Sequence, residues 1–302
     1  MIIRCRRWRT VRCWCACCER GSAKPTCSSF AATWDFAECS ATSLSASRSR
    51  GRSRVGASSA KSIAVAGGVR RVWPDGRPIV RSVIGILNHE GAFADFVAVP
   101  QRNLYVVPDS VATDLAVFTE PLAAAFQIPA KLPLRREDRV VVLGDGRLGN
   151  LCAQVLASLC DRVLVIGKHT AKLAILRKLG LETCLLEDRP RERLADVVVD
   201  CTGSESGLPT ALELVRPRGT VVLKTTVAGT QSMPWAPIVI DEVRIVGSRC
   251  GPFDRALAAL ERGEVQVQPL ISDRFKLSNG LAALERAQSK DALKILLDVE
   301  RD

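Results

Sequence analysis

Asp138-Arg139-Val140-Val141-Val142-Leu143-Gly144-Asp145-Gly146-Arg147-Leu148-Gly149 is the stretch on which the fold turns. Val140–Leu143 is a short apolar run rich in β-branched residues and reads as a buried strand. Behind the glycines, Leu151, Val155, Leu156 and Leu159 recur at helical spacing. A strand, then G-x-G-x-x-G, then a helix is the context that lifts this motif above chance. Gly144 makes the tight turn, Gly146 lets backbone approach a pyrophosphate, and Gly149 allows close packing of helix on strand. Arg147 and Leu148 open the helix whose N-terminus faces the phosphates. The bland alternative is a structural glycine turn, and the flanking pattern speaks against it.

Outward from this unit the alternation continues as a doubly wound sheet requires. Arg162–Ile166 predicts a second strand, and Thr170–Leu179 a helix closed by Gly180. Thr183–Leu186 and Asp196–Asp200 predict two more strands, Gly207–Val215 a helix, then Thr220–Lys224 and Val243–Gly247 the last strands. The fold class is α/β, a Rossmann doubly wound parallel sheet. Cys201-Thr202-Gly203 and Thr225-Thr226 end strands and should open onto the cofactor, with Thr202 and Gly203 as contacts. An NAD-specific fold puts Asp or Glu about 20 residues beyond the glycines. Gly167-Lys168-His169 stands there instead, and a missing carboxylate with cations nearby favours NADP over NAD. A solvated turn is the plain alternative for Lys168 and His169. Asp145 must turn its side chain away from the pyrophosphate, for which Arg147 is a candidate partner.

Composition divides the chain near Arg81. The whole chain carries 43 Lys+Arg and 32 Asp+Glu, a net +11, yet residues 1–81 hold 16 against 4 and residues 82–302 hold 27 against 28. The basic surplus therefore says nothing about the enzyme-like remainder, and nucleic acid is not its expected partner. No run approaches the roughly 18 apolar residues that span a bilayer, which argues against a membrane partner. Cys152, Cys160, Cys184, Cys201 and Cys250 show no pairing pattern, which suits reduced thiols and a cytoplasmic location.

Glu120-Pro121-Leu122-Ala123, the GDGRLG loop, Asp200-Cys201-Thr202-Gly203 and Arg216-Pro217-Arg218-Gly219-Thr220 follow one another in the order seen in medium-chain dehydrogenases/reductases. Gly247-Ser248-Arg249-Cys250-Gly251, Pro269-Leu270-Ile271, Phe275, Leu277 and Lys294-Ile295-Leu296-Leu297 agree with it. Over about residues 82–302 the chain resembles the zinc-dependent alcohol dehydrogenases, including the threonine and polyol dehydrogenase group. The resemblance implies hydride transfer between NADP or NAD and a small alcohol or carbonyl substrate. It also implies a catalytic domain of GroES-like type and a homo-oligomer. Glu120 falls where this branch puts a carboxylate at or beside the catalytic zinc, so it is the catalytic and metal candidate. Its plain alternative is a capping or ion-paired Glu in a helix starting near Thr113. Lys294 matches a basic position that reaches the cofactor pyrophosphate, against the alternative of a surface lysine on a terminal strand. The expected domains are 82–130 as a remnant of the catalytic domain, 131–250 as the dinucleotide-binding domain, and 251–302 as a return to the catalytic domain.

Residues 1–81 lack what the resemblance demands: a C-x-T-D segment, a G-H-E segment and a four-cysteine zinc loop. Cys13, Cys15, Cys17 and Cys18 crowd too closely for the C-x-x-C spacing of structural zinc. Ser47–Arg54 resembles a basic, disordered RNA-associated segment, and an Arg/Ser-rich N-terminus can also be a transit peptide. A one-base shift of reading frame accounts for more. Cysteine then needs Val or Ala as the following residue, and Ala66, Val69, Val72 and Val80 give C-x-x-C-x-x-C, seven residues, and C. Gly21 to Thr26 permits I-C-K-T-D, and Ser40 to Ser43 permits G-H-E. Three motifs in one shifted frame, in order, identify residues 1–81 as a frame-shifted GroES-like segment, disordered or misfolded as written, with Met1 not the original start. The literal chain is then expected to lack catalytic zinc and activity. A non-catalytic nucleotide-binding protein with a basic arm, or a nucleic-acid-binding protein, are the competing readings.

Overall fold

The computed structural model describes residues 2–4, 63–65, 68–71, 80–85, 88–92, 96–100, 103–227, 233 and 235–298. Most of residues 1–81, and with them the reading of an altered frame and of disorder, lie outside the described residues. The chain forms two compact units, Met1–Val117 and Phe118–Asp302.

The first unit contains short antiparallel ladders. Ile2–Arg4 pairs with Phe96–Ala98, Ile63–Val65 with Leu104–Val106, and Gly68–Arg71 with Val80–Val83. Ile84 and Val99 are buried together, with Ala92, Val97 and Leu104 packed against them. A single helical turn, Thr113–Ala116, closes the unit.

The second unit opens with helix α1 (Thr119–Lys131) and then alternates strand and helix. The order is β1 (Arg139–Leu143), α2 (Arg147–Ala157), β2 (Arg162–Gly167), α3 (Thr170–Lys178), β3 (Glu182–Leu185), β4 (Ala195–Asp200), α4 (Gly207–Leu214), β5 (Val215–Leu223), α5 (Trp235–Ile240) and β6 (Arg244–Gly247). All six strands pair in parallel in the order β6-β5-β4-β1-β2-β3. This is the doubly wound dinucleotide-binding order. Helices cover both faces of such a sheet, so its central strands need no polar alternation. Val140, Val142, Val165, Val198, Val199, Val221 and Val222 accordingly all lie buried. Gly180, with φ at +81°, releases the chain after α3, and Arg177 and Lys178 face the negative helix end.

Strand and helix bounds fall within a residue or two of expectation except at β5. It starts at Val215, the expected last residue of the preceding helix, rather than at Thr220, and its ladder with β4 jumps from Val215 to Thr220. Arg216–Gly219 loops out there opposite Asp196. Asp196 holds the loop by accepting from Arg216 Nε at 2.6 Å and from Arg139 N at 2.8 Å. Burial works to raise the Asp196 carboxyl, but these bonds and the Arg216 charge outweigh it and hold the group below the usual aspartate range.

After β6 come α6 (Phe253–Glu261), β7 (Ile271–Lys276), α7 (Gly280–Ala287) and β8 (Lys294–Asp298). β7 and β8 pair in parallel with α7 as their crossover. Helix α1 packs against α2 and α6, so the glycine-loop helix and the return segment share one helical layer.

Candidate functional site

The strand order reverses between β1 and β4, and a ligand crevice opens beyond the carboxyl ends at such a point. Leu143 and Asp200 are register partners there, so the glycine loop and the Cys201-Thr202-Gly203 turn leave the sheet side by side. Gly144, at φ +111°, allows the turn, and a Cβ on it would sit 2.8 Å from Cys201 O. A Cβ on Gly149 would overlap Gly144 O. Gly146 differs: a Cβ there would meet nothing within 4 Å. The protein's own packing thus explains the first and third glycines and leaves open ground above the second, the one expected to admit a pyrophosphate. The residues present fit a dinucleotide.

Asp200 organises the β4 side. Only 1 % exposed, it accepts from Thr202 N at 2.9 Å, Thr202 Oγ1 at 2.8 Å and Thr225 Oγ1 at 2.8 Å through one oxygen, Oδ1. Thr225 Oγ1 in turn accepts from Gly203 N at 3.1 Å. Thr202, Gly203 and Thr225 therefore form one hydrogen-bonded rim. Gly207 belongs to it, because a Cβ there would lie 2.5 Å from both Asp200 oxygens.

Asp145 turns toward the end of β2 rather than toward Arg147. Its Oδ2 accepts from Lys168 N at 2.8 Å and His169 N at 2.6 Å, and His169 Nδ1 lies 3.0 Å away. A Cβ on Gly167 would sit 2.6 Å from Asp145 Oδ2. A carboxylate therefore stands at the end of β2, although none is there in chain order. Lys168 is exposed and His169 partly so.

Leu148 is half-buried in the first turn of α2. Arg147 donates through Nη1 to Leu293 O at 3.3 Å, which fastens the residue before Lys294 to the start of that helix. Lys294 begins β8 but is only 3 % exposed, so it is not a surface lysine. Glu120 lies in the first turn of α1, half-buried; that helix begins at Thr119, separate from the turn at Thr113. Among the described residues no three His, Cys, Asp or Glu stand together to hold a metal ion. The described residues thus do not make up a zinc site.

Two features carried no role in the sequence reading. Lys224, one residue past β5, donates through Nζ to Ala124 O at 2.6 Å and Ser248 Oγ at 3.2 Å, joining α1 to the β5 and β6 ends. Beneath the glycine loop, Cys201 Sγ donates to Cys152 Sγ at 3.8 Å. This bond and burial push the Cys201 thiol well up, while acceptance of the bond, with help from Lys224, lowers Cys152 against its burial.

A six-stranded doubly wound sheet with a glycine loop at its switch point defines the dinucleotide-binding class of fold. Residues 148–262 match the zinc-binding dehydrogenase family. The sorbitol dehydrogenase of Halalkalibacterium halodurans is 27 % identical over 224 residues, 69 % of this chain and 65 % of that one. The alcohol dehydrogenase TADH of Thermus sp. ATN1 superposes with a TM-score of 0.72 at 24 % identity, covering 80 % of this chain and 78 % of that one. A short chain alcohol dehydrogenase of E. coli CFT073 complexed with NADH gives 0.70 at 21 %, covering 81 % and 80 %. Over residues 148–262 the chain is thus similar to the zinc-binding dehydrogenases, and the relatives it matches are sorbitol and alcohol dehydrogenases. It spans about two thirds of the sorbitol dehydrogenase it matches, 65 %.

Proposed function

We propose that the chain derives from an NAD(P)-dependent oxidoreductase that passes hydride between the cofactor and a small alcohol or carbonyl compound. The observation that carries this reading is the open ground over Gly146 at the sheet's switch point, beside the Asp200-ordered rim. A bound nicotinamide dinucleotide supplies the hydride donor or acceptor. The chain's own residues bind and orient it: Gly144, Gly146, Arg147, Leu148 and Gly149 at the pyrophosphate, Thr202 and Gly203 along the rim, Lys168 and His169 at the adenosine end. Lys294, buried beside the Arg147–Leu293 link, serves the pyrophosphate end. Glu120 is the carboxylate for the metal-side chemistry, and its other partners belong to the segment before Arg81, whose residues as written do not provide them. The literal chain is therefore proposed to bind cofactor without turning over an alcohol.

The four-part division at residues 81, 130 and 250, and a cytoplasmic location, are part of this proposal. Among the described residues no helix is long and apolar enough to cross a membrane. A homo-oligomer fits the edge position of β6 and the neighbouring exposed apolar residues Trp235, Val239 and Ile240, at 65 %, 73 % and 78 % exposure.

The test is calorimetric titration of the full chain with NADH and NADPH, followed by assay against alcohols and polyols with zinc supplied. Binding of a dinucleotide without turnover is expected. No heat from either cofactor at millimolar concentration overturns the reading, and turnover overturns the inactive state.

A further inference from the structure

We infer that Asp145, a residue of the glycine loop, does the work of the strand-end carboxylate and selects NAD(H) over NADP(H). This rests on the dinucleotide reading above. In an NAD-specific fold the acidic side chain at the end of the second strand hydrogen-bonds the ribose hydroxyls. Here Gly167 closes that strand, and the space its side chain would fill is taken by the Asp145 carboxylate, with Oδ2 and Cβ each 2.6 Å from the missing Cβ. The group is the same and it stands against the same strand end, 6 % exposed; only the residue that bears it differs.

The hydrogen bonds make the placement firm. Oδ2 takes the N–H groups of Lys168 and His169. Those two N–H groups, at the start of α3, are also where a 2′-phosphate would find backbone donors. Asp145 fills that anion site with its own charge. Its Oδ1 accepts from His169 Nδ1 at 3.1 Å and retains lone-pair capacity for a ribose hydroxyl. A 2′-phosphate brought here would lose the backbone donors and meet a like charge, with only the side chains of Lys168 and His169 to offset it. Like charges brought close in a partly buried site cost binding. A ribose carrying free hydroxyls meets an acceptor instead.

The experiment is calorimetry of the full chain with NADH and NADPH, comparing the ratio of the two Kd values. The wild type is expected to favour NADH by at least about tenfold, the scale of one charge-assisted hydrogen bond. Asp145→Ser frees both N–H groups and removes the charge, and should shift the ratio toward NADPH by about tenfold or more. Moving the carboxylate back to the strand, with Asp145→Gly and Gly167→Asp together, should restore the preference for NADH. A merely structural Asp145 would weaken both cofactors alike, and a gain in NADPH affinity cannot come from misfolding. If Asp145→Ser does not fold, Asp145→Asn, which keeps the shape and loses the charge, must move the ratio in the same direction. Equal or tighter wild-type binding of NADPH overturns the inference, as does an unmoved ratio in the folded variant. Failure of both cofactors to bind the wild type sinks the dinucleotide reading instead, and this one with it.

Discussion

Lys224 Nζ donates to Ala124 O at 2.6 Å, bonding the end of strand β5 to the middle of α1 one hundred residues earlier. The same ammonium reaches Ser248 Oγ at 3.2 Å, and Lys131 Nζ donates to Gly247 O at 3.1 Å on the next strand. Gly251 completes the seam, because a Cβ there would overlap Ala123 O. Helix α1 carries Glu120, so these contacts fix the helix on which the proposed metal-side carboxylate stands.

Replacing Lys224 with Met should keep the aliphatic packing and lose the bonds. Hydrogen bonds from a charged donor contribute about 1.5–3 kcal/mol each. Urea unfolding of Lys224→Met should show a loss of about 2 kcal/mol. A loss of a few tenths would mean that the seam is held by packing alone.

The glycine loop allows a paired comparison. Gly146→Ala adds a methyl where nothing lies within 4 Å, so stability should change by less than about 0.5 kcal/mol while dinucleotide affinity falls at least about tenfold. Gly149→Ala drives a methyl into the Gly144 carbonyl, so stability and binding should fall together. Thermal melts and cofactor titrations of both variants decide it. Unchanged binding by Gly146→Ala would mean that the pyrophosphate does not pass over that glycine.

Asp200→Ala removes one acceptor that serves three donors, and should cost about 2–4 kcal/mol with loss of cofactor binding. Thr225→Val removes one strand of the same rim and should cost about 1 kcal/mol. The ordering of the two losses in a denaturant series tests whether Asp200 is the organiser.

Acid sensitivity should carry the signature of Asp196. Its carboxyl is held below the usual range in the fold, so its contribution is complete above the unfolded aspartate pKa, about 3.9. That contribution disappears as pH falls through the lower folded value. Asp196→Asn should therefore lose about 1–2 kcal/mol near pH 6, and the gap to wild type should close below about pH 4. A gap that does not narrow at all as pH falls below the unfolded aspartate value would show that shape rather than charge matters there.

Thiol labelling at neutral pH should rank the described cysteines. Cys250 is exposed and should react first with iodoacetamide. Cys160 and Cys184, whose thiols burial pushes up, and Cys201, pushed up by its bond to Cys152, should resist until the fold opens. Peptide mass spectrometry of the native protein reads the order. Early labelling of Cys201 would contradict its role as hydrogen-bond donor.

How far the sequence could be read depended on range. Strand β1, its glycine loop and α2 are written in neighbouring residues, so period and punctuation sufficed. β5 was misjudged at its start because Arg216–Gly219 loops out only in the presence of Asp196, a partner from another strand. Lys224 was illegible for the same reason: its meaning lies in Ala124. Lys294 reads in chain order as one end of a terminal strand, and only the Arg147–Leu293 contact puts that end at the glycine loop. Glu120 was legible as a carboxylate near a helix start, though the helix begins at Thr119 and not near Thr113, because the turn Thr113–Ala116 stops short of it.

The fit of Asp145 against Gly167 makes the two positions mutually exclusive for a large side chain. A carboxylate at either place forbids one at the other, because both would claim the same few ångströms at the end of β2. A lineage passing from one arrangement to the other by single substitutions must first give up the acid it has. Its intermediate has glycine or another small residue at both positions, and for that interval the pocket has no fixed preference between the two cofactors. Both end states carry the acid and share one preference, so only a descendant that halts at the intermediate departs from it in cofactor choice while every other contact in the loop stays as it was.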